Sequence, residues 1–595
     1  MLFHDSYDKS YRDPLGAVPA GGNLCLRFLC DEGDCVTLRT WDGEEKRVNM
    51  RPMGNSLFEA TIAVPSQPML FWYDFIIHRA DGDARYGNAL DQLGGVGSYY
   101  SDHPHSYQVT VFDPAFQTPD FLRHGVIYQI FPDRFFRDAN GMKGRVRKVR
   151  AAHPDATFHE SWQEEPTLDV DPDNGDNRAL DFFGGTLRGI SQKLDELQAL
   201  GVTVLYLNPV FRARTNHRYD TGSYEEIDPI LGDDAAFDEL TAAAHKRGMN
   251  VLMDGVFSHT GADSQYFNRF GRYPTVGAYQ SEQSPYASWY HFDEFPDRYD
   301  TWWGFYTLPA VHKEEESYQR YLLDPEKGVL PRWVKRGACG WRLDVADELP
   351  MPLLRDMRQS VKTADEQSVL LGEVWEDASN KIAYGQLRSY CLGDTLDSVM
   401  NYPLRRAVID FFTGVLDAEG LRRVILHQRE VYPVPFYYSL MNLLGSHDRV
   451  RILNAMAGYD SVGIEQMDRE KAREIKLSKA ELKTAKHRYL SAMKLLCALP
   501  GAPTLYYGDE IGMEGMADPW NRAPMRWDDP DEKLRAGVSK LLKERQAHAV
   551  LQTGFVDVQA RDADTLVIKR FAAEGLDAFG HALSDKDRTV IISRQ

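Results

Sequence analysis

Short runs of alternating apolar and polar residues mark the first part of the chain. Runs such as LCLRFL, CVTLRTW, LFEATIAV and YQVTVF are separated by Gly, Asp, Asn and Pro. Alternation with a period of two is typical of antiparallel strands that bury one face, and regular turn residues are typical of a β-sandwich. We therefore predict a separate N-terminal β-sandwich over residues 1–118.

From residue 126 the pattern changes to apolar, β-branched runs that alternate with amphipathic stretches. VIYQIF, VTVLYLNPVF and NVLMDGVF are strand candidates, and LRGISQKLDELQALG and DDAAFDELTAAAHKRG are the helix candidates between them. Strands that alternate with helices predict a parallel sheet, closed or doubly wound. Later runs, among them ACGWRLDV, SVLLGEVW, SLMNLLGS and APTLYYG, bring the count to eight, which matches an α/β fold, the (β/α)₈ TIM barrel, over residues 119–548.

The spacing between charged strand ends supports the barrel. A barrel of about 250 residues allots about 31 residues to each strand–helix unit. Asp344 and Glu373 are 29 residues apart, which is one unit, whereas the 90 residues from Asp254 to Asp344 predict an inserted subdomain at about 259–312. The stretch 549–595 has two strand-like runs, TLVIKRF and TVIISR, and predicts a short, incomplete C-terminal β domain.

Composition and charge narrow the class of ligand. The 595-residue chain is 43% apolar and 12% aromatic, carries a formal net charge of −19, and has no apolar run near the roughly 20 residues of a membrane helix. The charge disfavours nucleic acid and membranes as partners, so a neutral ligand is expected. The first residues, MLFHDSYDKSYRDP, do not resemble a secretory signal, and the six cysteines are few, so a cytoplasmic protein with reduced thiols is predicted.

The candidate chemistry lies where apolar strands end in charged residues. In GWRLDV, Arg342 and Asp344 are two positions apart and project to the same side of a strand, toward the barrel interior. A carboxylate beside a guanidinium keeps a low pKa and stays ionised, as a nucleophile must. The alternative is a buried ion pair that only holds the strands together.

A second carboxyl group, Glu373, closes the strand SVLLGEVW beside Trp375. An apolar, aromatic wall favours the protonated form that a general acid needs, although a strand-end glutamate can simply face solvent. His447 and Asp448 follow a third strand, where Asp448 is either a third carboxylate near Asp344 or the cap of the next helix. Two carboxyl groups, one ionised and one protonated, suffice for double-displacement hydrolysis of a glycosidic bond.

Asp254 and His259 follow the third predicted barrel strand, in MDGVFSH. Asp254 can orient Arg342, and His259 can reach a ligand. A two-metal phosphoesterase would use the same residue types, but no second histidine-rich cluster completes one.

Ten aromatic residues lie between positions 286 and 306, within the predicted insertion. Aromatic faces stack on the apolar faces of sugar rings, and the insertion is expected beside the active face. The alternative is that most of these residues form the insertion's own small core.

Four motifs in the order DGVFSH, GWRLDVAD, GEVW and SHD resemble glycoside hydrolase family 13, the α-amylase family, between about residues 120 and 545. Within this family, VIYQIFPDRF, NHRYDTGSYEEIDPILGD and PGAPTLYYGDEIGMEG look most like neopullulanases, cyclomaltodextrinases and amylopullulanases. The resemblance implies a retaining α-glucan hydrolase that acts on maltooligosaccharides, pullulan, starch or cyclodextrins. The bond would be α-1,4, with α-1,6 cleavage left open.

The resemblance also implies roles for individual residues. Asp344 would be the nucleophile, Glu373 the acid/base and Asp448 the stabiliser of the transition state. Tyr219 would stack on the sugar ring, and Trp375 would lie toward the leaving group. The other residues around the sugar would be Asp220, Asp254, His259, Arg342 and His447.

No cofactor is expected, and the case for a structural calcium is weak. By comparison with the family, Ser258 occupies a position where most relatives have an asparagine that often binds a structural calcium. Thr186 likewise replaces an aspartate that binds calcium in close relatives. The acidic stretch 169–177, taken as an EF-hand, puts Asn174 where glycine is needed and Leu180 where the bidentate glutamate is needed.

Several alternatives stay open at this level. A transglycosylase would use the same site and differ in whether water or a sugar hydroxyl resolves the intermediate. A non-catalytic glycan-binding protein would keep the barrel as a scaffold. The family resemblance also leaves open a homodimer formed through the N-terminal domain.

Overall fold

The computed structural model describes residues 1–31, 35–80, 82–171, 177–460 and 467–595. Its central sheet has the hydrogen-bonded order β6-β5-β4-β3-β2-β1-β8-β7, and a parallel bridge between Met400 and Met441 closes the ring. The (β/α)₈ barrel predicted from the sequence is thereby confirmed. The strands are β1 (Ile127–Ile130), β2 (Val204–Leu207), β3 (Asn250–Gly255), β4 (Gly340–Leu343), β5 (Val369–Gly372), β6 (Ser398–Val399), β7 (Met441–Leu443) and β8 (Ala502–Tyr506).

Amphipathic helices surround the barrel and bury one face each. The helix Met351–Ala364, for example, buries apolar residues three or four positions apart, as a helix with one covered side requires. No helix among the described residues is both long and apolar enough to cross a lipid bilayer. The helices are Asp120–Arg123, Val146–Ala152, Leu187–Gln192, Leu194–Leu200, Asp234–His245, Glu316–Leu323, Val329–Lys335, Met351–Ala364, Tyr402–Thr413, Ala418–Val431, Val434–Tyr437, Ile452–Met456, Arg469–Glu474, Lys479–Ala498, Glu532–Ala547 and Ala549–Thr553.

Two sheets in the N-terminal part pack on a shared apolar core. The rings of Phe28 and Phe75, one from each sheet, stack with centroids 4.7 Å apart. The first sheet contains Leu2–Phe3, Arg12–Asp13, Asn23–Cys30, Arg51–Gly54 and Leu57–Ala63. The second contains Val18–Pro19, Cys35–Trp41, Glu45–Asn49, Met69–His78, Ala84–Gly87, Ser98–Tyr100 and Tyr107–Phe112.

Short hairpins and turns lie on the loops that follow the barrel strands. Between β5 and β6, where all of residues 373–397 are described, the chain forms a hairpin instead of a helix. The paired short strands are Thr157–Phe158 with Asp181–Phe182, Phe211–Ala213 with Thr221–Ile227, Phe292–Glu294 with Arg298–Tyr299, Thr301–Trp302 with Phe305–Pro309, and Ile382–Ala383 with Gln386–Leu387. The 3₁₀ turns are Pro132–Arg134, Ala287–Trp289, Ala346–Glu348, Asp509–Ile511 and Trp520–Arg522.

A three-stranded antiparallel sheet ends the chain: Phe555–Asp562, Thr565–Phe571 and Arg588–Ser593. The first of these strands was missed in the sequence, because FVDVQARD has only two buried apolar positions and directly follows a helical stretch. Arg570 anchors the sheet, since its buried guanidinium donates to five main-chain carbonyls, most closely to those of Ala498 (2.9 Å), Leu551 (2.7 Å) and Gly554 (2.8 Å).

We expect Arg570→Met to destabilise the protein by about 3 kcal/mol, because five main-chain carbonyls lose a charged donor. Arg561→Met, an exposed arginine of the same sheet, serves as the matched control and should change stability by less than about 0.5 kcal/mol. Thermal melting followed by circular dichroism measures both. Equal melting temperatures for the two variants would contradict this anchoring role.

Candidate active site

Four carboxyl groups reach one end of the barrel because of where the strands stop. Asp254 lies in β3, Asp344 directly follows β4, Glu373 directly follows β5, and Asp448 lies in the loop after β7. The pairing of Leu343 with Gly372 places the next residue of each strand at the same level. Asp344, Glu373 and Asp448 line an open cleft of about 920 Å³, whereas Asp254 is buried and does not line it.

Arg342 joins three of these carboxylates. Its Nη1 lies 2.7 Å from Oδ1 of Asp254 and 2.9 Å from Oδ1 of Asp344, and its Nη2 lies 2.7 Å from Oε2 of Glu373. The guanidinium is fully buried, so these ion pairs are poorly screened. One cation thus positions side chains from three adjacent strands.

The carboxyl groups outnumber the single cation of Arg342, and the pKa values of Asp254, Asp344 and Asp448 are raised. Burial raises the pKa of Asp344 well above its usual range, although Arg342 acts in the opposite direction. Burial and the neighbouring charge of Glu373 raise the pKa of Asp448 to about 7. The low pKa expected for Asp344 is therefore not found, because desolvation outweighs the ion pair. Desolvation therefore disfavours the simultaneous ionisation of Asp344 and Asp448.

Glu373 is held by hydrogen-bond donors rather than by the apolar wall that the sequence suggested. Its Oε1 accepts from the indole Nε1 of Trp375 at 2.9 Å, and its Oε2 accepts from the main-chain N–H of Val345 at 2.9 Å. Trp375 in turn stacks on Tyr402, with ring centroids 4.0 Å apart and planes within 4°. The carboxyl group is thus fixed in orientation from two sides.

Val345 makes this contact from a strained backbone conformation. Its φ of 38° lies in the left-handed region, which is rare for a β-branched residue. Such strain persists only where the surrounding structure imposes it, and it concentrates at functional sites. The motif GWRLDVAD gave no sign of it.

Neutral histidines and a tyrosine also line the cleft. Burial lowers the pKa of His259 to about 3 and that of His447 well below the usual value, so both rings are uncharged. His447 accepts at Nδ1 from Gln129 (2.9 Å), which leaves its Nε2–H directed at Oδ1 of Asp448, 3.2 Å away. The imidazole of His447 lies parallel to the ring of Tyr219, with centroids 5.2 Å apart.

The remaining predicted residues lie close by, and one of them has a mainly local role. Tyr219 donates from its hydroxyl to Oδ2 of Asp254 at 2.7 Å, and its carbonyl accepts from Nε2 of His259 at 3.1 Å. Asp220 lines the cleft, but its carboxylate accepts from the main chain of Arg214 and from Thr215, which orders their loop. Burial raises the pKa of Asp220 to about 6.

Asp448 does not cap a helix, because the next helix, Ile452–Met456, begins after Arg451. Its nearest guanidinium belongs to Arg522, whose Nη2 lies 3.8 Å from Oδ1. Asp518 binds the same arginine at 3.0 Å. Both residues line the cleft, and the sequence analysis missed them. Asp518 and Arg522 lie four residues apart in the loop after β8, and this spacing of opposite charges was the signal available in the sequence.

Nine of the ten aromatic residues of 286–306 divide between core and cleft, and the tenth, Phe295, is exposed. Trp289 and Tyr290 are buried, and Tyr286, Phe292 and Tyr299 pack against the same core. Four others line the cleft: Trp302, Trp303, Phe305 and Tyr306. Trp302 and Trp303 stack with centroids 4.7 Å apart, so the rim of the cleft carries a flat aromatic surface.

Thr186 and Ser258, which replace calcium ligands of the family, make other contacts. The hydroxyl of Thr186 caps a helix by accepting from Gly189 and donates to Asp138 at 2.6 Å, and Ser258 hydrogen-bonds His259. Within the described part of the chain no group of three acidic, histidine or cysteine residues has metal-binding geometry. Most of the acidic stretch 169–177, including Asn174, lies outside the described residues.

A closed parallel barrel with carboxyl groups at the C-terminal strand ends, in an aromatic-lined cleft, is an arrangement typical of barrel glycoside hydrolases. Residues 129–554 match the family described as "Alpha amylase, catalytic domain". The chain therefore belongs to the alpha-amylase family.

Its relatives include enzymes named for different glucans. An amylopullulanase of Thermoanaerobacter thermohydrosulfuricus is 34% identical over 100% of this chain, which spans 42% of that protein. A cyclomaltodextrinase of Geobacillus thermopakistaniensis is 34% identical over 78% of this chain and 68% of that protein. The chain thus spans less than half the length of its amylopullulanase relatives.

A solved structure shares the fold. The cyclic α-maltosyl-(1→6)-maltose hydrolase of Arthrobacter globiformis, in complex with its cyclic sugar, superimposes with a TM-score of 0.63 at 30% identity. The match covers 77% of this chain and 90% of that one.

Replacing Asp448 with asparagine tests the raised pKa. The folded state holds a proton on Asp448 up to about pH 7, whereas the unfolded chain releases it near 3.8. Asp448 therefore destabilises the fold increasingly as the pH rises from about 4 to 7. We expect Asp448→Asn to melt about 2 °C above the unmodified protein at pH 8 and at the same temperature at pH 4. A pH-independent difference between the two proteins would contradict the shift.

Proposed function

We propose that the protein is a retaining α-glucan hydrolase in which Asp344 is the nucleophile, Glu373 the acid/base and Asp448 the transition-state stabiliser. The observation that carries this proposal is the binding of Asp344 and Glu373 to adjacent nitrogens of one guanidinium. Carboxyl groups about 5 Å apart fit a covalent double displacement, whereas an inverting enzyme needs about 6.5–9.5 Å to admit water. Two oxygens on one guanidinium fit the closer arrangement.

In the proposed reaction, an oxygen of Asp344 attacks the anomeric carbon while the bond to the leaving sugar breaks. Glu373 gives its proton to the leaving oxygen, and the resulting carboxylate then takes a proton from the water that hydrolyses the glycosyl-enzyme. Asp448, with His447 beside it, would stabilise positive charge on the ring.

The substrate is proposed to be an α-glucan with α-1,4 bonds, with α-1,6 bonds as a further target. The cleft supports this because stacked aromatic rings and the uncharged imidazoles of His259 and His447 line it beside the carboxyl groups, and such groups suit a sugar. The relatives named amylopullulanase and cyclomaltodextrinase support the same class. The cytoplasmic location and the homodimer through the N-terminal domain stay predictions.

Asp344→Asn should lower kcat on soluble starch by about 10⁴-fold, because the amide cannot form the glycosyl-enzyme. Binding of starch, followed by affinity electrophoresis, should persist. Asp293→Asn, an exposed aspartate of the insertion, is the matched control and should keep full activity. A normal kcat in Asp344→Asn would contradict the assignment of Asp344 as the nucleophile.

The stereochemistry of the first product tests the mechanism separately. Pullulan, soluble starch and β-cyclodextrin are each incubated with the protein, and proton NMR follows the anomeric signals before mutarotation. A retaining enzyme releases the α-anomer first. Initial β-anomer would instead indicate single displacement, and longer oligosaccharides at high substrate concentration would indicate transglycosylation.

A further inference from the structure

The loop after β5 leaves the active-site cleft and returns to it within residues 373–381. The side chains of this loop that line the cleft are Glu373, Trp375, Glu376 and Lys381. Between them the chain turns inward, and Ala378 and Ser379 are completely buried. The contacts of segment 377–380 therefore determine where the main chain lies on both sides of it, and so where the cleft-lining side chains of the loop begin.

The barrel fixes the first half of this segment. Nε2 of His427, in the helix Ala418–Val431, lies 2.8 Å from Oδ2 of Asp377. The hydroxyl of Tyr432 donates to Oδ1 of Asp377 at 3.0 Å and accepts from the main-chain N–H of Ala378 at 3.0 Å. Asp377 and Ala378 are therefore bound to the end of one barrel helix.

The second N-terminal sheet fixes the other half. Gln108 lies in its strand Tyr107–Phe112 and is buried. Nε2 of Gln108 donates to Oγ of Ser379 at 3.0 Å, and its Oε1 accepts from Nδ2 of Asn380 at 2.6 Å. The other N–H of the same amide donates to Oγ1 of Thr110 at 3.1 Å. Both N–H groups and the carbonyl oxygen are thus paired, and removing one partner would leave a buried polar group unsatisfied, which is costly.

The strand that carries Gln108 is itself fixed against the barrel. Nη1 of Arg12 donates to the main-chain carbonyl of Gln108 at 3.2 Å and lies 2.5 Å from Oε1 of Glu430. Both charged side chains are buried, and a buried ion pair is costly to separate. Oγ1 of Thr110 also donates to the carbonyl of Val431 at 2.6 Å. Gln108 therefore approaches the loop after β5 from a fixed position.

Trp375 connects this segment to the proposed acid/base. It lies two residues before Asp377, and its indole N–H donates to Oε1 of Glu373 at 2.9 Å. A general acid works within hydrogen-bond reach of the leaving oxygen, about 2.6–3.2 Å between heavy atoms, and a misplacement of about 1 Å can cost about 100-fold in rate. A displacement of the loop after β5 would therefore act first on the proton transfer.

We propose that Gln108 is a positioning residue for Glu373, which acts by binding segment 377–380 and thereby fixing Trp375 against the carboxyl group. This inference rests on the proposed function. It assigns to the second N-terminal sheet a part in the chemistry of the barrel, although Gln108 itself does not line the active-site cleft. Loss of Gln108 is expected to impair protonation of the leaving group more than the attack by Asp344.

Gln108→Leu and Asn380→Ala test the contact from its two sides. Each variant is compared with the unmodified protein by kcat/KM, which reports the formation of the glycosyl-enzyme. The substrates are α-maltosyl fluoride, whose fluoride leaves with little help from an acid, and whichever of soluble starch, pullulan and β-cyclodextrin the unmodified protein cleaves. We expect about a tenfold loss on the glucan and less than about a twofold change on the fluoride. The double variant should lose no more than either single variant, because both substitutions break one contact.

Ser6→Ala is the matched control. Oγ of Ser6 donates to Oε2 of Glu430 at 2.7 Å, so this variant also removes a buried hydrogen bond between the N-terminal part and the barrel. It leaves segment 377–380 bound, and both kcat/KM values should stay within about twofold of those of the unmodified protein. Thermal melting of all variants separates a loss of stability from a loss of proton transfer.

A loss that is equal on both substrates, an equal loss in Ser6→Ala, or no loss in Gln108→Leu and Asn380→Ala would overturn the inference while the hydrolase proposal stands. If the unmodified protein cleaves no glucan, the hydrolase proposal fails. NMR of protein that carries isotope-labelled tryptophan then decides the contact, with the indole N–H signal of Trp375 assigned from its loss in Trp375→Phe. This signal should shift in Gln108→Leu and Asn380→Ala but not in Ser6→Ala, and an unshifted signal would overturn the inference.

Discussion

The buried guanidinium of Arg342 is the constraint on which the site depends. A cation without access to water is costly unless it is fully paired, and here carboxylates from β3, β4 and β5 pair with it. Asp254 is fixed in its turn by the hydroxyls of Tyr206 (2.6 Å) and Tyr219 (2.7 Å). A shift of one residue in any of the three strands would turn a carboxylate away from the cation. Charge pairing and strand register therefore stabilise each other.

The same constraint explains why strain is tolerated next to Asp344. The chain has to leave β4 so that the carboxylate of Asp344 faces Arg342 and the following N–H meets Glu373. Val345 satisfies both only with a φ of 38°. This conformation costs of the order of 1–3 kcal/mol, and it persists because the ion pairs on either side determine it. The contacts of Asp344 with Arg342 and of Val345 with Glu373 thus fix the proposed nucleophile more than the conformation of its own loop does.

Much of the architecture could be predicted because it depends on local pattern. Alternating strands and helices, the two-residue spacing of Arg342 and Asp344, and the motif order led to the barrel and to the residues that the structure brings together. Side-chain partners across the barrel could not be predicted, because they depend on tertiary geometry. Trp375 was expected to provide an apolar wall, yet it presents its indole N–H to Glu373. Arg522 comes from the loop after β8, and no local pattern connects it to Asp448.

The strand ends and the hairpin tips contribute different parts of the site. The carboxyl groups are attached to buried strand ends, where packing on all sides leaves little freedom, whereas the exposed rings of Trp303 and Tyr384 lie at hairpin tips. A change at a hairpin tip alters the shape of the rim but leaves the contacts of Arg342 intact. Under the proposed function, selection among glucans can therefore change through the loops after β3 and β5 while the chemistry at the strand ends stays the same. Relatives named for different glucans are what such a separation would produce.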